Sequence, residues 1–355
     1  MKTTTSNELN SRYNSERKVI LIFLGLFLLV AVLLILDVFL GSVTIKPSEV
    51  VKAIFNTSHS DFQTIIMKFR MPKAITAVIV GVALSLSGLQ MQTVFRNPMA
   101  GPYVLGISSG ASLGVAFVIL GFSSNITPET ISGLGNWILV AAAWVGAGAV
   151  MLLIMAISSR VKDIMTILIL GIMLSGGISA IVTIMQYFSN ESMLKSYVIW
   201  TMGSLGNLTT SQLNVLVISV SAGMILSLFS SKMLNALLIG ENYASSIGLN
   251  VRFARTVIFI CTSILAGSVT AFCGPIGFIG IAVPHIVRIL FKTSDHKVLV
   301  PGTILMGGSI MLFSDIVSQL PGSESVLPVN AVTSLVGIPV VIWVILRNRK
   351  YSGSF

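Results

Sequence analysis

Charge is what this sequence has least of. Asp, Glu, Lys and Arg together supply 10% of its 355 residues, and only 12 of those are acids. A water-soluble domain carries about 25% charged residues, so that class is excluded. Cysteine is nearly absent as well. Cys261 and Cys273 lie within or at the end of one apolar run, and distant positions of a single helix cannot approach to disulfide distance. They read as small buried hydrophobes. Catalytic signatures are missing too: there is no G-x-x-x-x-G-K-[ST], no H-E-x-x-H and no C-x-x-C, so neither a P-loop nor a zinc centre is expected. The three histidines, His59, His285 and His296, have no ligand spacing, and Gly274, Gly277 and Gly280 do not form a dinucleotide fingerprint. No catalytic residue, metal or cofactor is expected, and the chain is not read as an enzyme.

Apolar residues fill the space. They make up 54% of the chain, with a mean hydropathy of +0.94, and they recur in runs of about 20, the length that crosses a bilayer core of roughly 30 Å. The expectation is an all-α polytopic membrane protein with spans near 19–40, 71–94, 103–121, 136–158, 163–188, 212–231, 252–272, 277–291, 300–320 and 328–346. Residues 1–18 form a polar tail, 19–350 a single transmembrane permease domain, and 351–355 a short C-terminal tail. The first run is too long for a signal peptide and has no small-residue cleavage pattern behind it. Lysine and arginine fix the expected orientation. With the N-terminus inside, ten spans place 16 of them on one side and 6 on the other, which puts both termini in the cytoplasm. These basic residues are scattered singly between spans, which fits a lipid-embedded chain and gives no patch for nucleic acid.

Several positions break the oily pattern. Gly106, Gly110 and Gly114 repeat every four residues, a spacing that lets helix backbones approach; a tight bundle and a helix that slides during transport both fit. Pro72 suits the opening turn of a helix, yet Lys68, Arg70 and Lys73 crowd that positive end, where each cation is disfavoured by roughly 0.3–1 kcal/mol. Snorkelling to headgroups and docking of an acidic partner are the alternatives there. In a helix over 233–247, Gly240, Tyr243, Ala244 and Ile247 share one face and Gly248 supplies the C-cap. Such a helix lies on lipid or seats in a partner. The run 277–291 carries Pro284, His285 and Arg288; a short architectural helix and a proton relay are the two readings. Asp315 has Gln319 as its i+4 neighbour, which favours a structural hydrogen bond in the bundle interior over substrate or ion coordination. Asp37 is expected to reach the headgroups.

Three stretches together resemble a known family: "FRMPKAITAVIVGVALSLSGLQMQTVFRNPMAGPYVLGISSGASLG" (69–114), "GENYASSIGLNV" (240–251) and "GPIGFIGIAVPHIVRILFKTSDHKVLVPGTILMGG" (274–308). Their R-x-P, R-N-P (with Asn97 and Pro98), L-G-x-S-x-G and P-H-I-x-R elements are similar to those of the FecCD family, permease subunits of ABC importers for iron-siderophores, haem and vitamin B12. The resemblance implies a type II ABC importer permease in a bacterial inner (plasma) membrane. It implies a homodimer, two cytoplasmic ABC ATPase subunits that hydrolyse the ATP, and an extracytoplasmic substrate-binding protein. It implies that Arg70 and Lys73 dock the binding protein, with Gln319 where the family has a third arginine, and that Gly240, Glu241, Asn242, Tyr243, Ala244 and Gly248 couple to the ATPase. The rival reading is an ion-coupled secondary transporter, which expects intramembrane acids or histidines along a path and broken helices in both halves.

Overall fold

The computed structural model describes residues 2–41, 45–54, 61–121, 137–161, 163–320 and 326–349; the C-terminal tail 351–355 lies outside them. Its elements are helical: α1 (Lys2–Phe39), α2 (Pro47–Ile54), α3 (Asp61–Ile65), α4 (Met71–Val94), α5 (Ile107–Ala116), α6 (Trp137–Ser158), α7 (Ile164–Tyr187), α8 (Glu191–Thr201), α9 (Thr210–Ile239), α10 (Glu241–Ser246), α11 (Val251–Cys273), α12 (Ile279–Phe291), α13 (His296–Ser318) and α14 (Val329–Arg349). Among the described residues seven helices are long and apolar enough to cross a membrane, and three shorter apolar ones, Ile107–Gly121, Ile279–Phe291 and Val329–Val344, complete the ten expected spans.

The centre of the bundle is α4, where every residue from Val80 to Phe95 is buried. Its sequence makes this possible because small residues let neighbours close on it. A methyl on Gly81 would occupy the carbonyl of Gly307 in α13, and one on Gly88 would occupy that of Gly280 in α12. Gly110 and Gly146 exclude each other's methyls in the same way where α5 meets α6. The polar side chains of α4 are buried among partners. Gln90 donates to Ser227 Oγ at 2.8 Å and to Cys261 Sγ at 3.1 Å and accepts from Thr262 at 2.9 Å, tying α4 to α9 and α11 at one node. In hydrocarbon an unpaired amide is costly, so such a node is fully committed.

The observed boundaries correct the expected ones in several places. The second span begins at Phe62, because α3 runs through a π-helical turn, Ile66–Arg70, into α4. Pro72 therefore lies in a continuous helix, and the wide turn absorbs its missing N–H. The sixth expected span, α9, continues to Ile239, and the expected 233–247 helix breaks at Gly240, whose φ of 141° and ψ of 154° are outside the helical region. The ninth starts at His296, N-capped by Asp295, which accepts from Lys297 N at 2.9 Å. The connection 189–211 holds an unforeseen helix, α8, capped by Asn190 accepting from Met193 N at 3.0 Å.

Two stretches join helices without α-helix of their own, the first holding one 3₁₀ turn, Pro102–Leu105. Residues 95–106 leave α4 and fold back until Pro102 meets Gly280, and residues 274–278 descend from α11 to the start of α12. Non-helical backbone at membrane depth must find partners within the protein. Tyr103 Oη provides two of them, donating to Ile276 O at 2.9 Å and accepting from Ile276 N at 3.3 Å, while Asn330 Oδ1 accepts from Gly277 N at 3.0 Å.

Candidate functional site

The residues expected at a docking surface meet inside the bundle. At the α4 N-terminal end, Lys73 Nζ lies 2.9 Å from Asp315 Oδ1, with Asp315 0% and Lys73 20% exposed. The Gln319 amide donates to Asp315 Oδ2 at 3.1 Å and to Asp37 Oδ1 at 2.9 Å. Arg70, 8% exposed, donates to the carbonyls of Val38 and Phe39 at 3.1 and 3.0 Å, closing the C-terminus of α1. Two acids and two bases balance in one cluster joining α1, α4 and α13. This answers why cations crowd that end of α4: buried carboxylates and helix-terminal carbonyls hold them. Arg70 and Gln319 are thus turned inward, and only Lys73 keeps partial exposure. Asp37 is 2% exposed and does not reach headgroups, because Gln319 draws it into the cluster.

Beside Lys73 opens a cavity of 560 Å³, lined among others by Trp200, Asn207, Gln212, Phe272 and Ser318. Among the described residues, Lys73 is the single charged side chain in its wall.

The opposite end of the bundle carries the remaining residues singled out by sequence. His285 Nε2 donates to Pro98 O at 2.8 Å, so two of them are direct partners. Arg288 donates to Gln92 Oε1, and the Gln92 amide donates in turn to Ile281 O at 3.1 Å. Asn97 Oδ1 accepts from Met99 N at 2.9 Å and shapes the turn after α4. Pro284 lies inside α12. His296 is buried: its Nδ1 meets Asn235 Oδ1 at 2.7 Å and its Nε2 meets Thr93 Oγ1 at 2.8 Å. Asn235 also donates to Asp295 at 2.7 Å. The Asp295 carboxyl is held below its usual range, first by the Lys297 backbone N–H and then by this amide.

The segment 240–248 folds as expected at its C-terminus only. Gly248 has φ +87°, and the bonds Leu249 N to Ala244 O at 2.9 Å and Gly248 N to Ser245 O at 3.0 Å form a Schellman motif. Ala244 is buried, while Tyr243 and Ile247 are exposed. Glu241 pairs with Arg255 of α11 through both carboxylate oxygens, which leaves Asn242 beside it on the short α10. Of the glycine stripe, Gly110 and Gly114 pack on α6, but Gly106 stands apart as the left-handed N-cap of α5 at φ 77°. Sequence reasoning missed Arg255, Asn235, Tyr103 and the pair Gln90 and Gln92; two glutamines in a fully apolar span were the signal for the last.

The profile of the FecCD transport family matches residues 28–347. This chain belongs to that family. It is 35% identical over 302 residues to the hemin transport system permease protein HmuU of Yersinia pestis, covering 84% of this chain and 88% of that one. It is 35% identical over 326 residues to the vitamin B12 import system permease protein BtuC of Klebsiella pneumoniae, covering 92% and 93%. Among solved structures it is similar to a metal-chelate type ABC transporter in an inward-facing conformation, with TM-score 0.78, 26% identity, and 92% and 99% of the two chains covered. The all-α architecture is therefore that of a type II ABC importer permease. The ion-coupled reading finds no support: Asp315 is paired with Lys73, Asp37 is held by the Gln319 amide, and the two broken stretches pack on each other.

Proposed function

We propose that this chain is the membrane-spanning permease subunit of a binding-protein-dependent ABC importer, carrying an iron-siderophore, haem or vitamin B12. It works as a homodimer in a bacterial inner membrane, with both termini in the cytoplasm, and opens alternately outward and inward. ATP is hydrolysed by separate cytoplasmic subunits. The observation that carries this reading beyond the family match is α10: a short helix pinned to α11 by the Glu241–Arg255 pair and a Schellman cap, with Tyr243 and Ile247 left facing out. A pinned helix presenting an apolar face suits a groove in a partner that moves it as a rigid body.

Gly240, Glu241, Asn242, Tyr243, Ala244 and Gly248 are assigned to ATPase coupling, with Glu241 acting through Arg255. Arg70, Lys73 and Gln319 are assigned to the docking end, where Lys73 is the group with access to a partner's carboxylate, Gln319 holds its counter-charge Asp315 and Arg70 pins the end of α1. The test is co-purification with an ATPase subunit, then uptake of haem, cobalamin and ferric siderophores into vesicles supplied with the binding protein. Uptake that needs nucleotide is expected; accumulation by vesicles holding this chain alone without nucleotide would overturn the reading.

A further inference from the structure

Between the α10 contact and the cavity beside Lys73 lies one continuous set of fixed contacts. It starts at the turn after α4. Arg96 adopts φ 47°, a strained value for a residue with a side chain, and its guanidinium lies 3.7 Å from where a methyl on Gly240 would sit, at the start of α10. Two residues on, Pro98 O accepts from His285 of α12. His285 is the seventh of the 13 residues of α12, so the helix between it and its start is a rod of about 9 Å at 1.5 Å per residue. Its other end abuts Pro102, whose Cδ lies 2.6 Å from a methyl position on Gly280, and Ile276 just before it is gripped twice by Tyr103.

So the connection 95–106 is stapled to the N-terminal half of α12 at two points, His285 in mid-helix and Gly280 at its start, and the two form one body. That body continues to the cavity. Gly274, at φ 75°, packs against Trp200 O and Gly203, and Ser204 N donates to Cys273 O at 2.9 Å. Trp200, Gly203, Ser204, Cys273 and Gly274 all line the cavity.

We propose that α12 and the connection 95–106 act as a strut, in which His285 and Tyr103 are positioning residues that transmit displacement of the Arg96 turn to the rim of the distant cavity. His285 fixes the near end and Tyr103 the far end. The strut is a property of this chain alone; its use during transport rests on the coupling role given to α10. Since packed cores switch between discrete arrangements instead of deforming smoothly, a helical segment held at two points carries a shift that a loop would absorb.

Native Cys273, 3% exposed and in the cavity wall, is a built-in reporter. In the Cys261→Ala background, purified in lipid nanodiscs, the rate of maleimide labelling at Cys273 measures opening of the rim. His285→Leu removes the hydrogen bond to Pro98 at the near end of the strut, away from the cavity, and the labelling rate is expected to rise roughly fivefold, the change that loss of one buried hydrogen bond produces in a local opening equilibrium. His285→Gln, which keeps a donor, restores the parent rate. Thr93→Val cuts the bond to His296 at the same end of the bundle but off the strut, and leaves the rate unchanged. An unchanged rate in His285→Leu overturns the proposal, and so does an equal rise in Thr93→Val, which would mean general loosening. Should His285→Leu fail to insert, Gln92→Leu carries the same expectation, since it cuts the bonds to Arg288 and Ile281. None of these readings needs an ATPase or a cargo, so they fail or succeed apart from the transport assignment.

Discussion

At the scale of single residues, the ion pair between Lys73 and Asp315 is the most consequential contact. Asp315 is fully buried, and removing one partner of a buried pair leaves an uncompensated charge, at a cost of about 3–5 kcal/mol. Lys73→Met is therefore expected to lower the thermal midpoint sharply in detergent. Lys73→Met with Asp315→Leu should recover most of the loss, because replacing both charges by apolar groups removes the desolvation penalty. A double variant no more stable than the single one would show that the two residues do not act as a pair. The sequence displayed every member of this cluster but not the cluster itself. Asp37 and Asp315 stand 278 positions apart in a straight count from 37 to 315, and periodicity along a chain carries no information on which distant helices touch. What could be read was the anomaly, cations at the wrong end of a helix, and the counter-charges then resolve it. His296 shows the same limit: nothing along the chain indicates that Asn235 and Thr93 on two other helices enclose it.

At the scale of elements, the glycines divide into those that other backbones press upon and those that stand free. Gly88 and Gly280 are in the first group, while Gly148 and Gly176 have nothing within 4 Å of a methyl position. Gly88→Ala must push α4 and α12 apart, and overpacking of this kind costs about 1–3 kcal/mol or more; Gly148→Ala should be neutral or better. Comparing the folded yields of the two variants by size-exclusion profile checks this, and equal yields would refute the close crossing. Gly248→Ala places a side chain at φ +87°, which should loosen the end of α10 by about 1 kcal/mol. Faster hydrogen exchange over 241–247 is the expected sign, together with ATP hydrolysis no longer matched by uptake.

Spans of this kind were legible because hydrophobic length alone decides them. The 191–201 helix escaped because Glu191, Lys195 and several hydroxyl residues interrupt it, so it has neither the length nor the purity of a span. The break at Gly240 escaped for a different reason. A glycine is compatible with both a helix and a turn, and only the Glu241–Arg255 pair, formed across 14 positions, selects the second.

At the scale of the whole molecule, the assignments depend on which end faces which compartment. The excess of 16 basic residues over 6 on the side shared by the N-terminus and α10 favours that side as cytoplasmic, since positive charge is retained there. Two distant ends are constrained at once: α10 and the Arg288 end must share one compartment, while α8 and the cavity beside Lys73 must share the other. Single cysteines at Ser246 in α10 and Ser192 in α8, both exposed, separate the cases in intact cells from which both native cysteines have been removed. A maleimide that does not cross membranes should label Ser192→Cys directly and Ser246→Cys only after the membrane is permeabilised. The reverse pattern would put α10 out of reach of any cytoplasmic ATPase, and labelling of both would break the even count of ten spans. Either result would remove the coupling role of α10, although the contacts along α12 between the two ends would stand.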